Sequence, residues 1–148
     1  CPPTAVRRYR QRISGPVLDR IDLRVPLQPV PLDALIPSTP PAGSSPPPSS
    51  HGRRLAREVR EARTRAQARQ EQSSAMNGDL QGDELDAVAA IDRPTADLLR
   101  RADERRQLSS RAVQSLRRVA RTVADLRGTD HIDPQAMATA LALRDGLT

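Results

Sequence analysis

Residues 108–128 read LSSRAVQSLRRVARTVADLRG, and this stretch decides the fold. Val113, Leu116, Ala120, Val123 and Ala124 recur at helical spacing, so one side is apolar while Arg111 and Arg118 lie opposite. Ser109 or Ser110 has the side-chain oxygen an N-cap needs, and Gly128 is free to take the left-handed conformation that stops a helix. An amphipathic helix must bury its stripe against other elements. Composition says which. Hydrophobic residues make up 36% of the 148, Trp and Phe are absent, and Tyr9 is the single aromatic. A core of Leu, Val, Ile and Ala favours thin packing between helices over a broad sandwich. The length suits one core.

Working outward, Asp133-Pro134 reads as cap and first residue of a last helix carrying Met137, Leu141 and Arg144. On the other side, Pro94 suits the first turn of a helix through Leu98 and Leu99 towards Arg106. Before it, Asp83 and Glu84 open a short helix with Leu85, Val88, Ala89 and Ile91, set off by Asn77-Gly78 and Gln81-Gly82. From Arg53 to about Gln72 every residue is a good helix former. Leu55, Val59, Ala62 and Ala66 form a narrow stripe there, among Arg53, Arg57, Arg60, Arg63, Arg65 and Arg69. The expected fold class is mainly α, a bundle of about four helices over residues 53–148, with no solenoid repeat.

Residues 28–52 hold most of the 14 prolines, with Ser and Gly, and read as a flexible linker. Val30, Leu32, Leu35 and Ile36 within it form an apolar patch able to dock in extended form. In residues 1–27, a basic run from Val6 to Arg12 reads as a helix end, broken by Ser14-Gly15-Pro16. Pro16 begins a helical turn through Val17, Leu18 and Asp19. Ile21, Leu23, Val25 and Leu27 then alternate with Asp22, Arg24 and Pro26, which predicts a strand ending at Pro26 or lying at a sheet edge.

The net charge of +6 is carried by arginine alone, since the chain has no lysine. Arginine stays charged and binds phosphate bidentately, so a polyanionic partner is expected, although a genome rich in G and C also enriches Arg on solvated faces. Cys1 is the single cysteine, which gives no disulfide framework and points to the cytoplasm. Neither a membrane span nor a leader is visible, and a start at Cys1 without Met leads us to expect a piece of a longer protein.

Nucleotide hydrolysis needs a glycine-rich loop with Lys and Ser or Thr, plus carboxylates for the metal, and neither is present. His51 and His131 lack a second ligand at metal spacing, and Ser14 lacks a partner base. No metal site is expected. What remains is arginine at element ends. Arg20 sits at the junction of a turn and a strand, and Arg111 in the first turn of the best helix, where the dipole disfavours a cation and an anionic ligand would remove the oddity.

The run from Tyr9 through Arg12-Ile13-Ser14-Gly15-Pro16-Val17-Leu18-Asp19-Arg20-Ile21-Asp22-Leu23 resembles the magnesium-chelatase-like AAA+ ATPases of bacteria, a family that includes a competence-associated branch-migration helicase. So do Ala62-Arg63 with Arg65 and Arg69, and Leu108-Ser109-Ser110-Arg111-Ala112 through Leu126. The resemblance implies that residues 1–27 end an AAA+ core and that residues 53–148 form its helical lid. It implies that Arg20 is an arginine finger acting in trans on a neighbouring subunit's γ-phosphate and that Arg111 is the sensor-2 arginine. Arg12 is the alternative phosphate contact. It further implies ATP and Mg2+ in the full-length protein with neither held tightly by this fragment, an N-terminal ATPase core as partner, a ring homo-oligomer, and DNA as substrate. Two departures stand out: only Cys1 remains of a Cys-rich stretch, and Gly43-Ser44-Ser45 sits in a longer proline-rich insertion. The competing readings are a sequence-independent nucleic-acid-binding module built on Arg57, Arg60, Arg63, Arg65 and Arg69, and the lid of a true magnesium-chelatase motor.

Overall fold

The computed structural model describes residues 2, 4–5, 8, 14–32, 36, 50–69 and 76–145. Its helices are α1 (Gly15–Asp19), α2 (Ser50–Arg69), α3 (Gly82–Val88), α4 (Arg93–Arg106), α5 (Ser110–Arg127) and α6 (Pro134–Asp145), with a 3-10 turn at Asn77–Asp79. The fold is mainly α, and α2 to α6 make the bundle.

Helix α5 is its axis. The Ser109 hydroxyl accepts the Ala112 N–H at 3.1 Å, which satisfies one of the donors that a helix start leaves open. At the other end Gly128 turns left-handed (φ 74°), and the Thr129 N–H reaches back to the Ala124 carbonyl at 3.0 Å. Ala112, Leu116, Ala120 and Ala124, four residues apart, are each at most 1% exposed. Small side chains on this row let neighbours approach closely, and α6 answers with Ala136, Met137 and Ala140, all fully buried. The α5–α6 contact is the most extensive, with α2 and α3 also on α5, and α4 on α6. Leu80, Leu85, Leu99 and Ile132 fill the spaces between.

Local chemistry sets the remaining ends. Asp92 caps α4 by accepting the Thr95 N–H at 2.9 Å, and Asp133 caps α6 by accepting the Ala136 N–H at 2.6 Å. The fully buried Thr95 hydroxyl donates to the Ile132 carbonyl at 3.3 Å. Together with the isolated bridge between Ile91 and Ile132, this ties the entries of α4 and α6.

Three expectations change. The strand over Ile21 to Leu27 is not formed: no strand occurs among the described residues, and Ile21, Leu23, Val25 and Leu27 are 38%, 48%, 62% and 88% exposed. Alternation prepares a strand, but only pairing with a neighbour makes one, and no described residue provides it. The patch in the linker does not dock either, since Val30, Leu32 and Ile36 are exposed, with Leu35 outside the described residues. Helix α2 starts at Ser50, so His51 belongs to its first turn rather than to the linker. Its stripe meets the bundle at Ala62 and Ala66 only, leaving Leu55 and Val59 exposed. The basic run up to Arg12, the prolines of 37–49 and the end of the helix near Gln72 lie largely outside the described residues.

Candidate functional site

Arg20 follows the last residue of α1, a single turn begun by Pro16 and closed where the Arg24 guanidinium donates to the Leu18 carbonyl at 3.1 Å. Asp19, next to Arg20, uses both carboxylate oxygens. Oδ1 accepts from Nη2 of Arg144 at 2.6 Å, and Oδ2 accepts from the Ser109 hydroxyl at 2.8 Å. Beyond Arg20, Asp22 accepts from the Ser115 hydroxyl at 2.5 Å, and the Arg24 N–H donates to the Leu143 carbonyl at 2.7 Å. That carbonyl is among those the end of α6 leaves without an intrahelical partner. Residues 19–24 are thus laid across the start of α5 and the end of α6.

The α4–α5 turn fixes the other side. Gln107 adopts a left-handed conformation (φ 49°), and the Leu108 N–H donates to Asp103 at 2.7 Å, which places Ser109 at the head of α5. Arg111 lies two residues on. Arg20 and Arg111 are both exposed, and neither guanidinium has a hydrogen-bond or ion-pair partner among the described residues. A cation in the first turn of a helix is disfavoured by about 0.3–1 kcal/mol. Two uncommitted guanidiniums near one hydrogen-bonded junction can meet an anion without breaking any internal bond. Arg12 lies outside the described residues.

The arginines of α2 divide. Arg65 donates to the Asp125 carbonyl at 2.9 Å, and Arg69 to its carboxylate at 2.7 Å. Asp125 is fully buried and also accepts from Arg121 at 3.0 Å and from the Asn77 amide at 2.7 Å. Burial lowers the pKa of Arg121 from its ordinary value, opposed by the adjacent Asp125 charge. Arg65 and Arg69 are therefore built into the bundle. Arg57 pairs weakly with Glu61 at 3.9 Å, Arg60 donates to the Ala56 carbonyl at 3.3 Å, and Arg63 is exposed without a partner among the described residues. The sequence offers Ser109 as a cap and Asp19 as the end of a helical turn, but not the bond between them, and it gives Asp125 no role. The available signal for Asp125 was its four-residue spacing from Arg121 on the apolar side of α5.

No group of three His, Cys, Asp or Glu able to hold a metal occurs among the described residues, and none of their helices is long and apolar enough to cross a membrane. Comparison with known proteins gives matches at both ends of the chain. The family model for the C-terminal part of magnesium chelatase subunit ChlI matches residues 49–144, and the model for magnesium chelatase subunit ChlI matches residues 1–35. Competence protein ComM of Haemophilus influenzae is 31% identical over 142 residues, 96% of this chain and 26% of its own length. The uncharacterized protein YifB of Salmonella typhimurium is 31% identical over 144 residues, 97% of this chain and 26% of its own. YifB of Escherichia coli is 32% identical over the same coverage. The chain spans about a quarter of the length of these relatives.

Proposed function

The chain belongs to the magnesium chelatase subunit ChlI family, and from that premise we propose that it supplies the lid and two phosphate-facing arginines of an ATP-driven ring machine that remodels DNA. In this reading residues 1–27 end the ATPase core, 28–52 connect, and 53–148 form the lid, with the first turn of α2 reaching back to Ser50. The observation that carries the reading is the junction at Asp19, from which Arg20 and Arg111 emerge without partners of their own among the described residues.

Phosphoryl transfer leaves the protein little covalent chemistry to do, so catalysis rests on positioning and on stabilising charge at the γ-phosphate. Arg20 reaches the ATP bound by a neighbouring subunit, and Arg111 reports from the lid on whether the γ-phosphate is present. Arg12 is the alternative contact. ATP is the substrate, with Mg2+ at its phosphates in the full-length protein. DNA as the remodelled substrate draws support from the competence named in one relative and from the outer arginines of α2. In the assembled full-length protein Arg20→Ala should lower ATP turnover by about 10³- to 10⁵-fold. Normal turnover in that variant would remove the finger assignment, and unchanged nucleotide affinity in Arg111→Ala would count against the sensor.

A second reading, a sequence-independent nucleic-acid module on α2, is favoured by the exposure of Arg57, Arg60 and Arg63. Each phosphate contact should add about 0.9 to the slope of log affinity against log salt. Removing Arg63 alone should then flatten the slope by about one contact. A slope unchanged by Arg63→Ala would discard its part in binding. The lid of a true chelatase motor shares the arginines and differs in acting on a porphyrin-bound partner instead of DNA.

A further inference from the structure

Asp19 immediately precedes Arg20, accepts from the residue two before Arg111, and bonds to neither arginine. Each of its oxygens is taken by a different part of the bundle: the last turn of α6 through Arg144, and the cap of α5 through Ser109. Ser109 spends its one O–H on Asp19 while its oxygen accepts the Ala112 N–H, so turning the side chain to another rotamer would cost both bonds. Arg144 is 9% exposed at its side chain and Asp19 32%, so the pair is shielded from the salt screening that weakens a surface ion pair. Asp22, bonded to Ser115 nearly two turns beyond Ser109 on α5, fastens the chain on the far side of Arg20.

We propose that Asp19 is a positioning residue that yokes Arg20 to Arg111, so that finger and sensor travel with the lid as one rigid unit. The inference rests on the reading of both arginines as phosphate contacts. A purely structural role would need only a counter-charge for Arg144. The second arm, to the residue that caps the helix of Arg111, is what a yoke requires and a counter-ion does not. Motion of the lid, carried by α5 and α6, then moves Arg20 through Asp19.

The test uses the assembled full-length protein. Ser109→Gly removes the hydroxyl while leaving a residue that is itself well tolerated at an N-cap, so it keeps the fold and cuts the bond to Asp19. Asp19→Asn keeps one acceptor and loses the charge. Both should lower kcat for ATP hydrolysis, by up to about 10²-fold, the scale of a misplacement near 1 Å, with KM little changed; Ser109→Gly should keep the parent's melting temperature, while Asp19→Asn, which strips the buried Arg144 of its counter-charge, lowers it. In an Arg20→Ala background, Asp19→Asn should add no further loss of kcat. If Arg20→Ala slows turnover while Ser109→Gly and Asp19→Asn leave kcat intact, the yoke is wrong and the finger stands. Equal losses from Asp19→Asn with and without Arg20 would also overturn it, since Asp19 would then act independently of the finger. Unchanged turnover in Arg20→Ala itself removes the underlying reading, and the yoke with it.

Discussion

The Asp125 side chain is fully buried, which is tolerable because Arg69, Arg121 and Asn77 surround it with donors. Removing the carboxylate leaves two guanidiniums without their counter-charge, one of them 1% exposed. Asp125→Ala should therefore destabilise the chain by about 3–5 kcal/mol in urea unfolding, and a loss below about 1 kcal/mol would show that water already neutralises the cluster. The same residue explains what was legible and what was not. Arg121 and Asp125 fall on the apolar side of α5 at a spacing any reader can count. That Arg69 turns inward depends on a carboxylate 56 positions along the chain, which helical periodicity does not encode. Arg65 and Arg69 looked like the outward arginines beside them for that reason. Arg20 and Arg111 stand out in sequence through motif, but Asp19 acquires its role only from Ser109 and Arg144, 90 and 125 positions away.

Helix ends are decided by neighbours in sequence, and there the reading holds: Ser109, Gly128 and Asp133 act where the local chemistry puts them. Gly128 also has a close neighbour, for a Cβ at that position would lie 3.3 Å from Nη2 of Arg65 in a backbone of φ 74°. Gly128→Ala should cost about 1 kcal/mol or more, and a melting temperature equal to the parent's would mean that the end of α5 relaxes freely. The cap of α4 carries a pH dependence. Thr95, through its side chain and then its amide, stabilises the charged form of Asp92 and holds its pKa below the ordinary 3.8. A carboxylate with a depressed folded pKa adds stability above its unfolded value and loses it as pH falls through the folded one. Asp92→Asn should thus flatten the loss of stability on acidification below about pH 4, where the parent continues to weaken. Identical acid profiles for the two would contradict this. Strands differ from caps. The period of Ile21 to Leu27 was read correctly as alternation, but a partner strand is a long-range condition, and none is met among the described residues.

Taken whole, the molecule has a closed core in α2 to α6 and an apolar row, Ile21, Leu23, Val25 and Leu27, left in the open. Such a row invites pairing with another strand. If the row completes a sheet in the rest of the protein, the amides of Leu23, Val25 and Leu27 should exchange slowly in the full-length protein and rapidly in this chain alone, and equal rates in both would contradict that docking. The central claim, however, concerns Arg20 and an ATP held by another subunit. Its most direct test mixes two inactive full-length variants, one with Arg20→Ala and an intact nucleotide site, the other with a disabled nucleotide site and Arg20 in place. In trans action predicts that mixed rings regain ATP turnover wherever an intact site meets an intact Arg20. A mixture as inactive as its components, with assembly confirmed, would contradict it.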